Sequence, residues 1–204
     1  GVVDSPDFSL NISREILQHD RQLKVIATAL EKKIKSELLK MQKDDKEKYE
    51  KFWHAFGTQL KYGVVADYGA KKDLLQDLLL FWSSKEKGYT TLAAYQDRMP
   101  EDQKFVYYAC GEDPEKIAKL PQVERILDKG YEILYCTEDV DDFVMKALAE
   151  LDGKAFKNVN DNDALPESDE EKAASEKKAE ENKDVLDFVK EPLGDRIKEA
   201  RMSK

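Results

Sequence analysis

The chain has 204 residues, 41% hydrophobic and 38% charged, with a formal net charge of -9. That length suits one large domain or two small ones, and the acidic excess argues against a general nucleic-acid binder, because no basic surplus exists to neutralise phosphates. No apolar run is long enough to span a bilayer and no signal peptide or lipidation motif is recognisable, so the expectation is a cytoplasmic protein without a membrane partner. In chain order, Val2 and Val3 read as the end of a buried strand, and Asp4, Ser5, Pro6 and Asp7 break it into a loop. Ser13 then caps a short helix carrying Arg14, Glu15 and Gln18. An arginine held there offers a rigid, permanently charged fork for phosphate oxygens, and Gln18 shares its face one turn later. The other reading of Arg14 is an exposed arginine paired with a nearby carboxylate.

From Asp20 to about Asp45 the spacing predicts a long helix with Leu23, Ile26, Ala27, Leu30, Ile34, Leu38 and Met41 on one face. A second helix, from about Asp45 to Lys61, carries the aromatic stripe Tyr49, Phe52, Trp53 and Phe56 and ends near Gly63. Such a stripe reads as core, and His54 as a packing or surface residue. A third helix is expected from Ala70 to Ser83, burying Leu74, Leu75, Leu78, Leu79 and Trp82, and Thr91 caps a short fourth through Gln96. The segment 20–99 is therefore expected to be a compact helical coil.

The period changes near Pro100. Phe105 to Cys110 reads as a strand, Asp113 and Pro114 open a helix, and Pro121 to Lys129 continues as helix to a left-handed stop at Gly130. Tyr131 to Thr137 is a second strand, Val140 to Leu151 a helix ending before Gly153, and Ala155 to Val159 a third strand. This alternation predicts a small three-stranded parallel α/β sandwich over 100–160. Cys110 and Cys136 fall in its strands, where they are expected as small reduced hydrophobes rather than a structural disulfide. Asp139, Asp141, Asp142 and Phe143 open the last helix; Phe143 either packs against the sheet or, as an aromatic beside carboxylates, grips apolar, basic segments of unfolded chains.

Residues 161–183 are acidic and poor in large apolar side chains, which reads as a connector. Val185, Leu186, Phe188, Val189, Leu193 and Ile197 restore a helical stripe over 184–204, which Pro192 can bend.

The loop from Asp4 to Gln18 resembles the ATP-contacting loop of the 90-kDa heat-shock chaperone family, roughly VDS-x-DLPLN-[IV]-SRE-[MI]-LQ. Asp4, Ser5, Asp7, Leu10, Asn11, Ile12, Ser13, Arg14, Glu15, Leu17 and Gln18 fit it. Phe8 stands where leucine is usual and Ser9 where proline is usual. The stretches Arg98 to Glu112, Val123 to Tyr135 and Asp152 to Val159 are similar to later family segments, in order. The resemblance implies a bacterial-type middle domain. Residues 1–19 would close its large α/β subdomain, 20–99 would form the coil, 100–160 the small α/β subdomain, and 184–204 the truncated start of the C-terminal domain. It further implies that Arg14, supported by Gln18, reaches the terminal phosphate of ATP, bound with magnesium in a separate N-terminal domain. It implies client contact at the helix start bearing Asp142 and Phe143, and a homodimer in the full-length parent. With Gly1-Val2-Val3 opening in mid-strand and no initiating methionine, the chain is expected to be a fragment, monomeric and unable to bind ATP alone.

No constellation for a self-contained enzyme can be assembled. His19 and His54 have no nucleophile or zinc spacing beside them, and no Gly-rich phosphate loop follows a strand. The turn Gly111-Glu112-Asp113-Pro114 is acidic where a phosphate needs amides and positive charge. Beside a chaperone fragment, two readings stay open: a purely helical interaction scaffold, and an enzyme built on the small α/β unit.

Overall fold

A computed structural model describes residues 21–161 and residue 164. The expectations for residues 1–20 and for 165–204 lie outside the described residues. Helix α1 (Arg21–Asp44) and helix α2 (Lys46–Val65) are separated by Asp45, whose carboxylate accepts the Lys48 amide at 3.0 Å and so starts the second helix. The long apolar stripe of α1 is at most half-buried: Leu38 and Met41 pack against the core, whereas Leu30 and Ile34 remain exposed. On α2, Tyr49, Trp53 and Val64 are buried, but Phe56, expected in the core, is 54% exposed. Gly57 lets the Trp53 ring lie flat on the helix, since a Cβ there would stand 2.8 Å from it.

The expected third helix is cut to one turn, α3 (Lys72–Leu75), followed by a 3-10 turn at Gln76–Leu78. Leu80–Ser83 is instead strand β1, paired antiparallel with β2 (Gly88–Thr91) in the register Trp82↔Tyr89. Leu78, Leu79, Leu80 and Phe81 are all buried. A one-sided helix cannot hide four successive side chains, whereas an interior strand can. Thr91 caps α4 (Leu92–Arg98), its hydroxyl accepting the Ala94 amide at 3.1 Å.

Next come β3 (Val106–Cys110), α5 (Pro114–Ala118), α6 (Pro121–Asp128) and β4 (Ile133–Cys136). Gly130, at φ 81°, makes the left-handed stop after α6. Helix α7 (Asp141–Leu148), β5 (Glu150–Leu151) and β6 (Lys154–Asn158) complete the order. β3 runs parallel to both β4 and β6, so the three expected strands are present and parallel. They do not form a separate three-stranded sandwich, however. The sheet is mixed and six-stranded, ordered β2-β1-β4-β3-β6-β5, because each hairpin adds antiparallel strands at an edge. This sheet rules out the purely helical scaffold. The helix expected to reach Leu151 stops at Leu148, and Asp152 and Gly153, at φ 50° and 75°, turn β5 into β6.

Chain direction explains the layers. From β3 the chain crosses to β4 on one side, then from β4 past β3 to β6 on the other; right-handed crossovers in opposite directions set α5 and α6 on one face and α7 on the opposite one. Val106, Tyr108, Leu134 and Cys136 meet Val144, Met145 and Leu148 of α7 and Tyr49, Trp53 and Val64 of α2 in one apolar cluster.

Beneath β1, Glu132 is almost wholly buried and takes both Arg98 nitrogens, Nε at 3.0 Å and Nη2 at 2.6 Å, together with the Ser83 hydroxyl at 2.5 Å. Tyr95 donates to the Glu132 carbonyl and accepts from Gln103 at 2.8 Å. Replacing Arg98 by Ala strands a buried carboxylate, so Arg98→Ala is expected to lose about 3 kcal/mol of unfolding free energy. Arg98 itself keeps 23% exposure, which holds the cost to the lower end for buried pairs. Urea denaturation checks this; a loss below about 1 kcal/mol would mean water replaces the guanidinium.

Candidate functional site

The site is the start of α7, where β4 gives way to the turn Thr137 to Val140. The turn is closed locally: the Asp141 amide donates to the Glu138 carbonyl at 2.9 Å, and the Asp141 carboxylate accepts the Glu138 amide at 3.1 Å. It is then anchored from α2. The Lys61 ammonium lies 2.6 Å from Asp141 Oδ1 and 3.0 Å from Glu138 Oε1, its side chain 4% exposed and that of Asp141 1%. The same ammonium sits 5.5 Å from the Trp53 ring and 5.3 Å from the Phe81 ring, so aromatic faces complete its shell. Burial alone would lower the Lys61 pKa, but Asp141 and Glu138 together hold it above the ordinary lysine value. Burial pushes the Asp141 carboxyl up against the opposing pull of Lys61.

With Asp141 turned inward, helical periodicity orients the rest. Asp141, Val144, Met145 and Leu148 face the core at the i, i+3, i+4, i+7 spacing, and Asp142, Phe143 and Lys146 face out. Phe143 is 62% exposed, which removes the reading that it packs against the sheet, and the Lys146 ammonium stands 5.9 Å from its ring. Asp142 accepts the Tyr108 hydroxyl at 3.0 Å and Lys146 Nζ at 2.5 Å. Lys146 is the chief reason its carboxyl is held below the usual carboxylate range, with Tyr108 adding to it against burial. The surface thus presents an aromatic ring between a fixed carboxylate and a cation. Of the acidic residues expected to open this helix at the surface, Asp141 is not available: it is spent on Lys61.

The structure brings Asp142 and Phe143 together; Arg14 and Gln18 lie outside the described residues. Sequence reasoning missed Lys61. Its signal was nonetheless there, a lysine in the buried stripe Tyr49, Trp53, Gly57, Lys61, Val64. It also missed Tyr62 and Tyr68, exposed on segments that pack against α7.

Other constellations are poorer. A groove of about 260 Å³ lies beside the β1–β2 hairpin, lined by Tyr49, Glu50, Leu80, Tyr89 and Arg98, but Arg98 is already committed to Glu132. Among the described residues no group of three His, Cys, Asp or Glu is placed to hold a metal, and no helix is long and apolar enough to cross a membrane.

A family model described as Hsp90 protein matches residues 1–204, and the chain belongs to that family. It is 59% identical over 203 residues to the chaperone protein HtpG of Clostridium acetobutylicum, covering all of this chain and 32% of the relative. To the HtpG of Bacillus subtilis it is 55% identical and to that of Clostridium botulinum 54%, each over 204 residues and 33% of the relative. The chain therefore spans about a third of the length of the curated relatives it matches.

The anchor gives a direct expectation. Lys61→Met leaves Asp141 buried and uncompensated and should cost about 3–5 kcal/mol in urea denaturation. The pH dependence has a definite sign. A folded-state lysine pKa above the ordinary 10.5 stabilises fully below that value and loses its contribution as pH rises through the higher folded value. The stability gap between wild type and Lys61→Met should accordingly shrink on the alkaline side of 10.5; a gap constant with pH would mean that the ion pair contributes nothing.

Proposed function

We propose that this chain is a middle-domain portion of an ATP-dependent chaperone, running into the start of the C-terminal domain. In this reading the loop 4–18 acts on ATP held, with magnesium, by a separate N-terminal domain of the same protein. The observation that carries the reading is the match of residues 1–204 to the Hsp90 family together with the residue-by-residue fit of the Arg14 loop. The acidic turn after β3 supports the division of labour, because Gly111-Glu112-Asp113 gives a phosphate no positive cradle. Arg14 neutralises charge on the terminal phosphate when the domains close, and Gln18 holds the loop. The start of α7 contacts partly folded clients: Phe143 supplies apolar area, and Asp142 favours basic flanks. In the full-length protein the unit works as a cytoplasmic homodimer, the dimerising end lying beyond these residues.

An interaction made only on closure acts on turnover rather than on initial affinity. Arg14→Ala in the full-length protein should therefore slow ATP hydrolysis by on the order of a hundred- to a thousand-fold, roughly 3–4 kcal/mol, while ATP binding stays nearly intact. Lysine should rescue poorly because it lacks the planar fork, and Gln18→Ala should be milder. Steady-state hydrolysis beside nucleotide-binding calorimetry separates the two effects, and near-normal turnover by Arg14→Ala would reduce this arginine to a structural residue.

Phe143 is tested apart from stability. Because its ring is mostly exposed, Phe143→Ala should shift unfolding free energy by no more than about 0.5 kcal/mol and weaken binding of an unfolded, basic client several-fold. Anisotropy titration reads the binding; unchanged affinity with intact folding would move client contact elsewhere.

A further inference from the structure

The two cysteines end neighbouring parallel strands. Cys110 closes β3, Cys136 closes β4, and the register sets them directly opposite each other. Side chains so paired leave one face of the sheet, and strands about 4.8 Å apart bring the α-carbons within the roughly 4.4–6.8 Å that a disulfide spans. The ladder continues past them through the Gly111 amide to the Cys136 carbonyl at 3.0 Å, so the register is held on the far side as well. Both thiols are free. Their access differs: Cys136 is buried, whereas Cys110 keeps partial exposure beside the start of α7. The neighbouring Cys136 draws the Cys110 thiol below its ordinary value against burial and the charges of Asp142 and Asp141, with Lys146 helping; burial pushes Cys136 well up. One sulfur is suited to attack from the surface and the other waits in the core.

We propose that Cys110 and Cys136 are an oxidation-sensitive dithiol that closes to an intramolecular disulfide on reaction with a hydroperoxide. The Cys110 thiolate attacks one peroxide oxygen. A sulfur–oxygen bond forms, the oxygen–oxygen bond breaks, and the departing oxygen leaves as water or an alcohol, giving Cys110 sulfenic acid. The Cys136 sulfur then attacks the sulfenic sulfur, a sulfur–sulfur bond forms, and the hydroxyl leaves as water with the Cys136 proton. Two thiols lose two electrons and two protons in total, and the peroxide is reduced by the same two electrons. The bond ties β3 to β4 at the root of α7, beneath Asp142.

The test is hydrogen peroxide treatment of this chain, denaturing alkylation and intact-mass analysis. The expected product is a monomer lighter by two hydrogens and alkylated at neither cysteine, with a cross-linked peptide joining Cys110 to Cys136, and fully reversed by dithiothreitol. Cys110→Ser, at the more exposed position, should leave Cys136 reduced and alkylated after the same treatment. Cys136→Ser should stop at a dimedone-reactive Cys110; should that variant fail to fold, the wild-type peptide map and Cys110→Ser decide the matter alone. Oxidation of Cys110 with Cys136 still alkylated, loss of thiols only in intermolecular dimers, or survival of both thiols would each overturn the proposal.

Discussion

One buried ammonium decides how the helical half of the described residues meets the sheet. Lys61 carries its charge into a shell made by two carboxylates, Glu138 of the turn before α7 and Asp141 at its first position, and two aromatic rings, one from its own helix and one from β1. Removing such a charge from water costs several kcal/mol, recovered only when the partners are close and well placed. The cost works as a specificity device, because any packing that slides α2 along the sheet strands Lys61 or Asp141. Through Asp141 the constraint passes along α7. With that residue pinned inward, Val144, Met145 and Leu148 follow into the core, and Phe143 is left in solvent between Asp142 and Lys146.

A second polar knot holds the other end of β4. Glu132, Arg98, Ser83, Tyr95 and Gln103 join the first hairpin, α4 and the strand entering the sheet centre. Several of these fall in the stretches by which the sequence resembles its family. Their roles here are structural: Arg98 and Gln103 satisfy a buried carboxylate and a buried phenol. The two knots explain how the hairpin strands become part of the sheet rather than an appendage of a helical coil.

Elements with a chemical start signal were legible in the sequence. Thr91, and Asp113 with Pro114, cap helices where expected, and the parallel order of β3, β4 and β6 followed from alternation of period. The misread segments have separate causes. From Leu78 to Trp82 the apolar residues are contiguous, so periodicity cannot distinguish strand from helix, and neighbouring leucines favoured helix. The Asp152-Gly153 turn was a readable hairpin signal, overlooked because α7 was carried three residues too far. At the start of α7, an exposed Phe143 was one of two readings the sequence left open, and the inward turn of Asp141 was not anticipated. It depends on Lys61, 80 residues earlier in the numbering, and no local pattern joins the two.

The central claim is that Lys61 fixes the start of α7 and thereby the presentation of Phe143. Native-state hydrogen exchange on wild type and Lys61→Met, at a pH where both are folded, tests it most directly. The expected result is a selective loss of protection at the Asp141, Val144 and Ala149 amides, with the β3 and β4 amides still exchanging only through global unfolding. Equal loss of protection across α7 and the strands, or none at α7, would contradict the claim that this ion pair is what holds the helix start in place.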